Sequence, residues 1–135
     1  MDIEVFVLCD AATEMLGKLN ILGTFDTITA TALPVIHAHC ALALRMRFSQ
    51  VEAGKHAVRI NIVDADGRPV VPSLEGSLAI TFGAEQTSVT NLVLNIDRLK
   101  FDKAGQYSVD LAIDGRQERS LPLFIRLREQ PPAQN

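Results

Sequence analysis

From Ala41 to Ser49 the chain places Leu42, Leu44, Met46 and Phe48 on one side and Ala41, Ala43, Arg45, Arg47 and Ser49 on the other. A repeat of two is the geometry of a half-buried strand; wound into a helix, the same apolar residues would scatter around the whole cylinder. The pattern returns in Val58, Ile60 and Ile62, in Leu78, Ile80 and Phe82, and in Leu92, Leu94 and Ile96. It returns again in Tyr107, Val109, Leu111 and Ile113, and in Leu121, Leu123 and Ile125. With Ile3–Cys9 and Lys18–Ala30 added, the chain reads as about eight or nine short antiparallel strands, the number and spacing of a β-sandwich or barrel. Ala11–Leu16 alone is compatible with a helix, and it is short and uncapped.

The breaks between these runs carry turn chemistry. Asp66-Gly67 and Asp114-Gly115 suit the positive φ angles of tight hairpins. Gly17, Gly54, Gly83 and Gly105 mark further boundaries, and Gly23, inside an apolar run, marks a bulge or a close backbone approach. Pro122 has no N–H to give a ladder, which puts the last strand at a sheet edge, at least on that side. One strand is apolar on both faces: Ile3, Val5 and Val7 alternate with Phe6 and Leu8. Such a strand is covered on both sides, either by the chain itself or by another subunit docking on Phe6 and Leu8, which would make a homodimer.

The chain has 135 residues, 47% hydrophobic and 21% charged, a globular composition long enough for one core. Residues 1–128 read as a single domain, and the polar, proline-containing tail 129–135 (EQPPAQN) as disordered. A net charge of -3 and pI near 5.5 lack the basic footprint of nucleic-acid binding. No apolar run approaches the roughly 20 residues of a membrane span. The first apolar run follows Asp2 and Glu4 rather than a basic segment, which does not fit a secretory signal. The expectation is a cytoplasmic protein whose two cysteines, Cys9 and Cys40, are reduced core thiols.

The stretch LNIDRLKFDKAGQY has the spacing Leu94-x-Ile96-x-x-Leu99 followed by Ala104-Gly105-x-Tyr107. It resembles the E-to-F segment of immunoglobulin-like domains, where a tyrosine hydroxyl bonds back to the upstream backbone and pins the corner between sheets. The resemblance implies an immunoglobulin-like β-sandwich with Tyr107 in that structural role. Lys103 stands where antibody-type domains usually carry an acid, and Val109 where their second cysteine stands. Tryptophan is absent altogether, so the disulfide-centred core of antibody domains is not expected. The segments VLCDAA, GKLNILGTFD and AGQYSVDLAIDG are similar to an uncharacterised bacterial family of domains of unknown function. That resemblance implies a compact β-domain and no catalytic residues.

Chemistry-bearing motifs are sparse. His37-Ala-His39 would put two imidazoles on one strand face, with Cys40 on the other; a metal would still need a third ligand from His56, Asp10 or Cys9. The downstream glutamate, the glycine spacing and the second histidine motif of cupins are missing. Asp64-Ala-Asp66-Gly67 opens like a calcium loop, with Glu75 at its twelfth position, but Pro69 and Pro72 interrupt it and a turn explains it better. No nucleophile elbow or phosphate-binding glycine loop occurs. Glu14, Glu75 and Glu85 lie near loops and could pair only by an accident of folding. The function expected is a non-enzymatic protein-interaction module or assembly subunit with a protein partner, without cofactor, nucleic acid or membrane. The alternative is a small metal-binding protein or enzyme using His37 and His39.

Overall fold

The computed structural model describes residues 1–128; the tail expected at 129–135 lies outside them. Nine strands follow in order: β1 (Asp2–Met15), β2 (Lys18–Thr24), β3 (Thr27–Ala30), β4 (Val35–Ser49), β5 (Gly54–Val63), β6 (Leu74–Ile80), β7 (Thr87–Phe101), β8 (Gly105–Ile113) and β9 (Arg116–Leu127). A single 3-10 turn, Gln50–Glu52, joins β4 to β5. One sheet has the order β2-β1-β4-β7, the other β3-β9-β8-β5-β6. The protein is an all-β sandwich.

The alternating rows meet between the sheets. Phe6, Leu8, Leu42, Leu44, Met46 and Phe48 come from one layer and Ile60, Ile62, Val109, Leu111, Leu123 and Ile125 from the other. No polar or charged residue is buried among the described residues, so hydrophobic burial, about 1.5–3 kcal/mol for each large side chain, drives the layers together. Tight turns follow their chemistry. Asp114 and Gly115 (φ 52 and 81) join β8 to β9, and Leu16 and Gly17 (φ 52 and 77) join β1 to β2. Positive φ at both central residues is the two-residue hairpin turn that matches strand twist. Ala11–Leu16, compatible with a helix in isolation, lies in β1 and this turn instead.

Tyr107 stacks edge-on against Phe101 with centroids 4.9 Å apart. Its hydroxyl donates to the Lys103 carbonyl at 2.6 Å, which gives the one polar atom of a buried ring its partner.

Two expectations need correction. The ladder is not wholly antiparallel: β3 runs parallel to β9. A hairpin forces antiparallel neighbours, but β3 reaches β9 by crossing from one sheet to the other, so its direction is unconstrained. The last strand is also not at the edge, because β3 lies outside it. The Phe124 N–H donates to the Asp26 carbonyl at 2.7 Å, so the backbone nitrogen of Pro122, two residues earlier, faces the same flank just before β3 begins. Proline is tolerated because the ladder there is open.

Candidate functional site

The strand alternation slips by one at two places, and these slips decide where the candidate residues point. Along β7 the buried residues are Ile96, then Leu99 and Phe101 rather than the 98 and 100 that strict alternation requires. Arg98, with φ 57, stands at the slip. The register with β4 is unchanged across it, Val35 facing Phe101 and Cys40 facing Ile96. Both strands therefore turn over together. His37 faces Leu99 on the core side, its ring 5.4 Å from Phe25 and its Nε2 buried without a hydrogen-bond partner. His39 is on the outer face, its Nδ1 2.6 Å from the exposed Asp97 carboxylate. The shared face expected for His37 and His39 does not exist, and Cys40 lies on the core side with His37. No cluster of three or more His, Cys, Asp or Glu occurs among the described residues.

The second slip lies between Cys9 and Ala12, which pack in one outer cluster although three positions apart. Gly23 (φ 68) sits opposite Asp10 there, and a Cβ on it would overlap the Asp10 carboxylate. Beyond this point the β1–β2 hairpin lies over the outer face of its own sheet. Ala12 and Leu19 cover Cys9, Ala41, Ala43 and Val93, and Asn91 Nδ2 donates to the Gly17 carbonyl at 3.0 Å. Phe6 and Leu8 are consequently not a surface: both face the inter-sheet core, 8% and 4% exposed. The outward-facing residues of that stretch of β1, Val7 and Cys9, are covered by the hairpin.

Cys9 and Cys40 are free and buried, and burial pushes the Cys40 thiol up to about 11. The Asp64 carboxylate accepts the backbone N–H groups of Asp66 and Arg68, each at 2.9 Å, and is used up in closing the turn. Glu14 accepts from the Gly17 N–H, Glu75 pairs with Arg59, and Glu85 lies between β6 and β7. They form no carboxylate pair.

A cavity of about 450 Å³ opens beside Phe48, Glu52, His56 and Asp114. His56 Nδ1 lies 2.7 Å from an Asp114 oxygen and Nε2 2.5 Å from the Glu52 carbonyl. Both neighbours accept, so the ring is best held with two protons. The Glu52 carbonyl, then Asp114, raise its pKa. Phe48 lies 4.9 Å from the imidazole. The arrangement is a clamp that joins the end of β4 to the β8–β9 turn, and the N-terminal amine of Met1, 2.8 Å from the Glu52 carboxylate, lines the same cavity.

The least conventional feature is an edge. Four strands end the two sheets. β3 has 4 residues; β2 carries Lys18 and the bent Gly23; β6 carries Glu75 and Gly76. Shortness, charge and bends are how sheets blunt their free edges. β7 has 15 residues, and from Thr87 to Ile96 it contains no charge, glycine or proline. Among the described residues its only ladder partner is β4. Two of its outward side chains are tied to β4: Arg45 Nη1 bonds Asn91 at 3.3 Å and Arg47 Nη1 bonds Thr87 at 3.0 Å. Glu4 holds both arginines, with Nε distances of 2.9 Å, and Arg47 chiefly keeps its carboxyl below the usual range. Among the described residues no strand pairs with the other flank of β7.

Beside this edge, between β6 and β7, is an apolar slot of about 190 Å³ lined by Leu74 and Leu78, Leu92 and Leu94, with Val58 at its floor. It exists because Gly76 faces Val58 across the β5–β6 ladder, in the inward row between Leu74 and Leu78. A Cβ there would meet nothing within 4 Å. Neither feature is apparent from the individual segments, although the uncharged run and the glycine inside an alternating row were both readable signals.

The model of a family described as "Family of unknown function (DUF6941)" matches residues 4–126. The chain belongs to this family. The match takes in every strand apart from the first two residues of β1 and the last of β9, with β7 and the slot included. No curated protein matches the chain. Among solved structures it is similar to part of the Pseudomonas fluorescens alkylpurine DNA glycosylase AlkC bound to DNA containing an abasic site analog, at 16% identity and a TM-score of 0.45. That likeness covers 75% of this chain and 28% of the glycosylase chain. No helix among the described residues is long and apolar enough to cross a membrane.

Proposed function

We propose that the chain is a non-enzymatic protein-interaction module of the bacterial cytoplasm, binding by addition of a strand to β7. The observation that carries this reading is the unguarded run Thr87–Ile96 beside the leucine-lined slot. Main-chain hydrogen bonds supply affinity in strand addition, and pockets for alternate side chains supply selectivity. The slot takes side chains from the inward-facing positions of an added strand. We read the sandwich as immunoglobulin-like, a reading supported by the parallel β3–β9 pair and by the Tyr107 bond to Lys103. Two free, buried cysteines accord with a reducing compartment.

The test is a photo-crosslinking amino acid placed at Asn95 on β7 or at the exposed Asn20 on β2, the opposite edge of the same sheet, in cells of the native host. The expected result is a discrete covalent adduct with a protein from position 95 and much less from 20. Equal labelling at both, or none at 95, refutes the reading.

A further inference from the structure

We infer that the strand added to β7 is β7 of a second copy of this chain, paired antiparallel about a two-fold axis near Leu92; this rests on the strand-addition reading above. The edge is built to match itself. Glu85 stands two residues before its N-terminal end and its C-terminal end carries Arg98 and Lys100 beside Asp97, all exposed, with the uncharged run Thr87–Ile96 between them. Antiparallel self-pairing brings the acid of each copy beside the two bases of the other, at both ends of the ladder. Parallel pairing would instead set like against like.

The register has little freedom. A two-fold axis perpendicular to the sheet keeps each side chain on its own face, so one residue must stand opposite its own copy. With Leu92 there, Leu94 faces Thr90, Asn95 faces Val89, Asp97 faces Thr87 and Arg98 faces Gln86. No like charges stand directly opposite each other. With Asn91 at the axis, Asp97 would face Glu85, which is unfavourable. The Leu92 register also sends Leu92 and Leu94 of each copy toward the open mouth of the other's slot, above the position left empty by Gly76. The slot is thus incomplete in one chain and closed by two, and the four-stranded sheets join into one of eight strands.

The test is sedimentation velocity of the full chain from about 1 to 100 µM, the upper limit set where a micromolar contact is nearly saturated. The wild type is expected as a discrete dimer. Val89→Lys/Asn95→Lys, which sets lysines opposite each other twice, should weaken dimerisation about tenfold or more, with an unchanged far-UV spectrum. Val89→Glu/Asn95→Glu should weaken it likewise, and an equal mixture of the two variants should restore a tight dimer. A wild type that is monomeric at the top concentration overturns the inference, as does a dimer indifferent to both substitutions. If the chain is monomeric while position 95 still crosslinks a different protein, strand addition stands and self-pairing fails. If position 95 crosslinks nothing, both fail.

Discussion

His56→Gln probes the clamp beside the cavity at the end of β4. In the folded chain both ring nitrogens meet acceptors, Asp114 at 2.7 Å and the Glu52 carbonyl at 2.5 Å. The folded-state pKa is raised above the ordinary value, so the clamp's contribution to stability is fully present below about pH 6.5 and is lost as pH climbs through the folded pKa. Asp114, held below the usual carboxylate range first by His56 and then by the Ala57 N–H, stays ionised throughout. Glu52, at about 2, does so too. A hydrogen bond to a charged group is worth about 1.5–3 kcal/mol. Asp114 is half exposed, which screens its share, and glutamine keeps one donor. The expected loss is about 1.5 kcal/mol at pH 5.5, a fall in Tm of about 5 °C for a chain of this length. Thermal unfolding of both proteins followed by far-UV circular dichroism at pH 5.5, 7.0 and 8.5, at constant ionic strength, gives the difference directly. The gap should shrink steadily with pH. A gap equal at pH 5.5 and 8.5, or widening, refutes the doubly donating imidazolium.

Gly23→Ala should cost about 2 kcal/mol in urea unfolding, from the left-handed backbone and the overlap with Asp10; adding Asp10→Ala should recover part of that loss and leave the backbone share. At position 98 (φ 57) the stability order should be glycine at least equal to arginine, with valine lower by about 1 kcal/mol or more, because a β-branched residue resists this conformation. Tyr107→Phe should cost about 1 kcal/mol through the lost bond to Lys103, without changing the fold by circular dichroism. Cys9 and Cys40 should resist a thiol reagent at pH 8 in the native protein and react at once in denaturant, since burial raises both thiols; fast native labelling of Cys40 would contradict its place in the core.

Local pattern carried the sequence reading a long way. The rows Leu42–Phe48, Val58–Ile62 and Val109–Ile113 face the core as their alternation required, because side-chain direction in a strand is a property of neighbouring residues alone. Asp114-Gly115 makes the turn its composition suits for the same reason. Where an outcome depended on two distant segments, the pattern misled. His37 and His39 part company because Arg98, on another strand, turns the ladder over opposite Ala38. Phe6 and Leu8 are core residues because the β1–β2 hairpin covers the outer face and leaves the inner face to the opposite sheet.

The sequence by itself determined that this chain makes strands, where most of them turn, and which side of most strands seeks burial. Only the tertiary structure decided which strands end the sheets, and so left β7 bare and opened a slot over Gly76. Alternation and turn propensity act over a few bonds. The order of strands in a sheet is settled by the pairing of segments far apart in the chain, and a free edge exists only once that order is complete.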